Sequence, residues 1–300
     1  LKLASKVIRY LLIAGSLLYL AYAINQIDLS TWPTGILNGR SGVLLLLTLV
    51  LTIVNYGIET RKWIVLLQPS ISLPFSKAYR SVLAGTSATT FLPARSGEYL
   101  GRMLFLPDTL KLPSIAAGII GGLGQLGATL ILGLLSWNLL LNQPDVPFKS
   151  WLGTPSFLLV LSCGMIFILF FPKISASKRF RRWSWMSIAS SYTPSTLARV
   201  LLLSLLRYGV FSIQFYLLII GFTNIDPSFQ LFLQLMAIFF LQTVVPVPAT
   251  VDLGVRMYAT SLFFSAPTII IPVSLLWILN VILPALVGTI ILAVSNRNRS

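Results

Sequence analysis

Thr90-Phe-Leu-Pro93-Ala-Arg95-Ser-Gly97-Glu98-Tyr-Leu-Gly101-Arg102 and Pro246-Val-Pro248-Ala-Thr-Val-Asp252-Leu-Gly254-Val-Arg256 each break a long apolar stretch with proline and place ionisable residues at its centre. An ionised side chain at bilayer depth costs roughly 2.5 to 3.5 kcal/mol on insertion scales, and broken backbone there is tolerated only against protein or a water-filled cavity. Two such interruptions predict a buried polar site of the kind a transporter uses.

The surrounding composition makes this a membrane question. Across 300 residues the chain is 56% hydrophobic and only 10% charged, with a mean hydropathy of +0.88; a soluble domain carries roughly 25% charged residues. The formal charge of +15 would suggest nucleic acid in a soluble protein, but no polar scaffold is present to offer basic residues to a duplex, so anionic membrane lipids are the expected partner and nucleic acid is not. Histidine is absent from the sequence and Cys163 is the one cysteine. These absences exclude an intrachain disulfide and histidine-dependent chemistry, and no metal or cofactor is expected.

Windows of about 20 apolar residues, the length that crosses roughly 30 Å of hydrocarbon, fall at 7–24, 41–58, 114–138, 155–172, 198–221 and 267–295. The broken stretches 81–112 and 229–266 read as re-entrant helical hairpins. Lys2, Lys6 and Arg9, then Arg61, Lys62, Lys77 and Arg80, then Lys173, Lys178, Arg179, Arg181, Arg182 and Arg199, and finally Arg297 and Arg299, lie on one side if the hairpins do not cross. The opposite loops hold Arg40 and Lys149. This bias predicts cytoplasmic N- and C-termini and a bacterial inner-membrane location.

That topology makes 41–138 and 198–295 two units of opposite orientation within a single transmembrane domain spanning 1–300. The predicted fold is thus all-α and polytopic, with about six full spans and two re-entrant hairpins in an inverted repeat, a recurring build of secondary transporters. Gly101-Arg102-Met103 echoes Gly254-Val255-Arg256-Met257. The N-terminus has two readings: a retained first span, which we favour, or a signal peptide cleaved after Ala21-Tyr22-Ala23.

Arg95, Glu98 and Arg102 stand at i, i+3 and i+7, on one face of a helix beginning after Pro93. They can bind a phosphate through the planar guanidinium fork and the helix N-terminus, or they can simply pair with one another to fix the hairpin. Asp252 and Arg256 are four apart in the order that favours an ion pair, so structural and ligand-binding readings stand side by side. Arg207 reads as a side chain that snorkels to the cytoplasmic surface. Asn55, Gln125, Gln234, Gln242 and Asn280 read as interhelical hydrogen bonders. Ser114, Gly118 and Gly122, with Gly121, Gly124 and Ala128 alongside, form a small-residue packing face. Lys178-Arg-Phe-Arg-Arg182-Trp-Ser-Trp185 suits the membrane interface.

The string Pro93-Ala-Arg95-Ser-Gly97-Glu98-Tyr-Leu-Gly-Arg102 resembles the Pro-Gly-Arg-x-Gly-Glu motif of the lysylphosphatidylglycerol synthase transmembrane region family, and Leu253-Gly254-Val255-Arg256 is similar to its second-half segment. Ala94 replaces a glycine of the motif, and Met257 stands where many members carry glutamate. The resemblance implies a flippase-like integral membrane protein. Fused members carry a soluble synthase domain, for which a chain ending at Ser300 has no room, so lipid translocation without lipid synthesis is expected. The expected substrate is a phospholipid or polyprenyl-phosphate-type lipid. Its headgroup would be held by Arg95, Glu98, Arg102, Asp252 and Arg256, with no catalytic residue. A homo-oligomer is left open. The alternatives are a membrane-embedded transferase acting on a lipid-linked substrate and a non-catalytic scaffold subunit.

Overall fold

The computed structural model describes residues 39–89, 96–140, 184–244, 249–264 and 266–297, together with residues 159 and 164. The predicted spans 7–24 and 155–172 (apart from residues 159 and 164), the N-terminal signal reading, Cys163, the prolines of both hairpins, Arg95 and the basic stretch 178–182 lie outside the described residues. So does the side chain of Asp252.

Every regular element among the described residues is helical. These are α1 (Gly39–Leu67), α2 (Phe75–Thr89), α3 (Ser96–Met103), α4 (Lys111–Leu140, led by the 3-10 turn Asp108–Leu110), α5 (Ser184–Ala189), α6 (Pro194–Phe222), α7 (Phe229–Val244), α8 (Ala249–Ser261), α9 (Ala266–Trp277) and α10 (Leu283–Arg297). A π-helical turn, Ile278–Ile282, joins the last two. Four stretches are long and apolar enough to cross a membrane, Gly39–Leu67, Asp108–Leu140, Pro194–Phe222 and Ile269–Ser295. They contain the windows expected at 41–58, 114–138 and 198–221, and the last covers all but the first two residues of the one expected at 267–295. The helices between them are short: at about 1.5 Å per residue α3 extends only ~12 Å.

Membrane residence is written on α1. Its exposed face carries Leu46 at 61% and Ile53 at 58% exposure, whereas the buried face is polar: Thr48, Thr52, Asn55, Glu59 and Lys62. A soluble helix would show the opposite arrangement. The helix also continues to Leu67, beyond the predicted end at 58, which removes Arg61 and Lys62 from the loop. Lys62 is buried inside the bundle.

The order long helix, two short helices, long helix occurs twice, over 39–140 and over 194–297. α1 and α6 form the most extensive contact and run antiparallel, because Leu44 meets Gly221, Thr52 meets Gln214 and Glu59 meets Arg207. The outer contacts are reciprocal: α2 packs on α10, and α7 packs on α4. Glycine allows both crossings. A Cβ at Gly288 of α10 would fall on the Leu83 carbonyl of α2, and one at Gly133 of α4 would fall on Phe240 of α7. Ser87 and Thr289 hydroxyls lock the first crossing at 2.8 Å.

α6 starts where its sequence says it should. Thr193 caps the helix by accepting from Thr196 N–H at 3.2 Å, with Pro194 at the first helical position. Tyr192, just before the cap, donates to the Leu66 carbonyl at 2.9 Å and ties the start of α6 to the end of α1.

Candidate functional site

The site is built from α3 outward. Gly97 and Gly101 are four apart, and α2 answers with Ala84, Gly85 and Ala88, the small-residue pattern that lets helix backbones touch in a membrane. A Cβ on Gly97 would overlap the Ala88 carbonyl, and one on Gly101 the Ala84 carbonyl. Ser81 Oγ donates to the Arg102 carbonyl at 3.2 Å and secures the same contact. Pinned along α2 in this way, α3 delivers Arg102 against α1, where its guanidinium lies 4.7 Å from the centre of the Trp63 ring. On the other side of α3, the Tyr99 ring presses on Gly118 of α4.

At the centre of the cluster is Glu59. Its Oε1 accepts from Arg102 Nη2 at 2.9 Å, and its Oε2 from Lys62 Nζ at 2.7 Å and Arg207 Nη1 at 2.8 Å. Glu98 binds the same Nη2 of Arg102. Arg207 Nε donates to Asn55 Oδ1 at 2.7 Å, so α6 is bonded to α1 at two points. Satisfying one buried carboxylate with three cations answers the insertion cost of its charge.

Burial divides the cluster into a closed end and an open end. Side-chain exposure is 3% for Lys62, 4% for Arg102 and 6% for Glu59, against 24% for Glu98 and 25% for Arg207. These residues line a small cleft of about 30 Å³, continuous with the surroundings, whose other walls include Trp63, Tyr99, Gly118, Gly121, Gly122 and Gln125. The small-residue face of α4 thus packs helices, as expected, and also floors this cleft. Arg102 Nε, Trp63 Nε1 and Gln125 Oε1 are buried without a hydrogen-bond partner among the described residues. Among those residues the charged groups of the cleft, Lys62, Arg102 and Arg207 against Glu59 and Glu98, sum to one positive charge. Such a site can hold an anion between guanidinium groups.

Of the residues singled out from sequence, Glu98 and Arg102 are brought together. Arg256 is elsewhere, its guanidinium 5.6 Å from the Phe211 ring centre on α6. Arg207 does not snorkel. It lies 13 residues into α6, about 20 Å at 1.5 Å per residue, too deep for its side chain to reach the helix end, and it turns inward to Glu59. Glu59 and Lys62 were missed by reasoning from the hairpins. Their signal was the polar row Thr48, Thr52, Asn55, Glu59 and Lys62, spaced by three and four along one helix face.

α1 and α6 are both 29 residues long. Aligning Gly39 with Pro194 matches Glu59 to Gln214 and Thr52 to Arg207. The Glu59–Arg207 contact then has a counterpart across the same pair of helices, and it exists: Gln214 Nε2 donates to Thr52 Oγ1 at 2.7 Å. The first contact is ionic and the second neutral.

No curated protein and no solved structure matches the chain. The lysylphosphatidylglycerol synthase TM region family matches residues 7–288, which takes in every helix of the cluster. With four apolar membrane-length helices, three of which line a buried ionic cleft, and a family match over nearly its full length, the chain belongs to the lysylphosphatidylglycerol synthase TM region family.

Proposed function

We propose that this protein moves a lipid with a phosphate-bearing headgroup across the bacterial inner membrane, without converting it chemically. The Glu59 cleft receives the headgroup while the acyl chains remain in lipid. The observation that carries this reading is the buried cleft with one uncompensated positive charge among the described residues and a guanidinium whose Nε has no partner among them. In hydrocarbon such a site favours an anion over water, and the guanidinium fork matches phosphate geometry.

The architecture is read as an inverted repeat, supported by the antiparallel α1 and α6 and by the reciprocal packing of α2 on α10 and α7 on α4. The short pairs α2–α3 and α7–α8 are read as re-entrant hairpins, with both termini cytoplasmic. Exposed Lys77 and Arg80 at the start of α2 suit that side.

Purified protein reconstituted into vesicles with headgroup-labelled phospholipid tests the function. Lipid movement should exceed that of empty vesicles, and Arg102→Lys should abolish it while folded yield is retained. Movement unaffected by Arg102→Lys would remove the cleft from the mechanism.

A further inference from the structure

We infer that the cleft selects a headgroup carrying a single negative charge, and that Glu98 is the resident anion such a headgroup displaces from Arg102. The inference rests on the reading of the cleft as the headgroup site. Glu59 already shows how the site grips a two-oxygen acceptor, with one oxygen on Arg102 and the other on Arg207 and Lys62. A phosphodiester presents two unesterified oxygens and can bridge Arg102 and Arg207 from the open side as Glu59 does from the closed side.

Glu98 occupies that open side. It shares Nη2 of Arg102 with Glu59, and at 24% exposure it is four times as exposed as Glu59 at 6%. Glu59 has three cationic partners, whereas the one ion pair Glu98 makes among the described residues is with Arg102. Exchange therefore falls on Glu98. An incoming anion also gains Arg102 Nε, which is buried without a partner among the described residues.

Charge decides which anion. Glu98 gives up Arg102 but remains in the cleft wall on α3, so the described residues still sum to +1, and a phosphodiester of net charge −1 brings site and ligand together to zero. A zwitterionic headgroup leaves +1 and a doubly charged phosphomonoester leaves −1. Uncompensated charge is disfavoured in a low-dielectric setting whichever its sign.

The experiment compares tail-labelled phosphatidylglycerol with tail-labelled phosphatidylethanolamine in otherwise identical vesicles containing the full chain. Phosphatidylglycerol should move about tenfold faster or more. Glu98→Gln raises the described charge to +2, so phosphatidic acid at pH 8, which carries nearly two charges, should gain at least about fivefold relative to phosphatidylglycerol. Lipid movement without charge preference overturns this inference and leaves the proposed function standing. If neither lipid moves, translocation fails, and thermal stabilisation in detergent decides the inference instead: dihexanoyl-phosphatidylglycerol should raise the unfolding midpoint and dihexanoyl-phosphatidylethanolamine should not. Equal stabilisation by the two overturns it. So does inorganic phosphate matching the anionic lipid at equal concentration, which would make the ligand a soluble anion.

Discussion

Gly101 and Gly254 hold similar places in the two proline-broken stretches, each shortly ahead of an arginine and a methionine, yet their surroundings have little in common. A methyl group on Gly101 would land on the Ala84 backbone, while nothing lies within 4 Å of the same position on Gly254. Nearby, Arg102 is buried between two carboxylates and Trp63, and half-buried Arg256 has its guanidinium over Phe211. The same contrast marks the α1–α6 seam, ionic at Glu59–Arg207 and neutral at Gln214–Thr52. The two halves share an order of helices and a set of crossings. Among the described residues their chemistry differs, with the buried ion pairs centred on Glu59 in the first half.

Glu59→Gln strikes this difference hardest. Removing one partner of a buried ion cluster strands the others, at a cost of about 3–5 kcal/mol, and the loss should appear in denaturation of the purified protein. The counterpart Gln214→Leu leaves the Thr52 hydroxyl and the Thr48 carbonyl short of a donor and Asn55 Nδ2 short of an acceptor, all neutral groups, worth about 1–3 kcal/mol. Equal losses would erase the distinction between the two contacts.

Next in size are the glycines. Gly101→Ala forces α3 off α2 and should cost about 1–3 kcal/mol, the usual range for overpacking; it should also lower lipid movement by displacing Arg102. Gly254→Ala should be neutral or stabilise the protein by up to about 1 kcal/mol through helix propensity. A large loss at Gly254 would mean that both proline-broken stretches are packed to one plan.

Arg256→Lys should have the smallest effect. Replacing one cation over the Phe211 ring by another alters an interaction worth about 0.5–1 kcal/mol, so stability and lipid movement should both stay near those of the parent, in contrast to Arg102→Lys. Strong impairment of transport with normal folding would enlarge the site to include the second hairpin.

Much of this was legible in the sequence because a span is a counting problem: about 20 apolar residues cross a bilayer, and four windows found on that basis coincide with membrane-length helices, the last of them short by two residues. The first proline-broken stretch drew attention through its charges, and Glu98 and Arg102 do line the cleft. Glu59 and Lys62 escaped because they adjoin Arg61. A charged cluster at the end of an apolar window reads as a membrane flank, and only the spacing from Thr48 to Lys62 shows that the helix continues with its polar face inward. Arg207 escaped for a related reason: the apolar window began five residues after the cap, so the arginine looked shallower than it is. The pairing of α1 with α6 joins residues 148 apart in the chain at Glu59–Arg207, and no local periodicity reveals a partner at that separation.

The crossing of α2 on α10 bears on how the protein is made. Ser87 and Thr289 are 202 residues apart, so at roughly 5–20 residues per second the ribosome delivers the second about 10–40 s after the first. Throughout that interval the α10-facing side of α2 is without its mate, and the α7-facing side of α4 waits in the same way for the second half. Neither half is a finished object by itself. The packing of the first half is therefore completed only once the closing helix emerges, and a stop codon that removed α10 would leave α2 without its packing partner as well as truncate the second half.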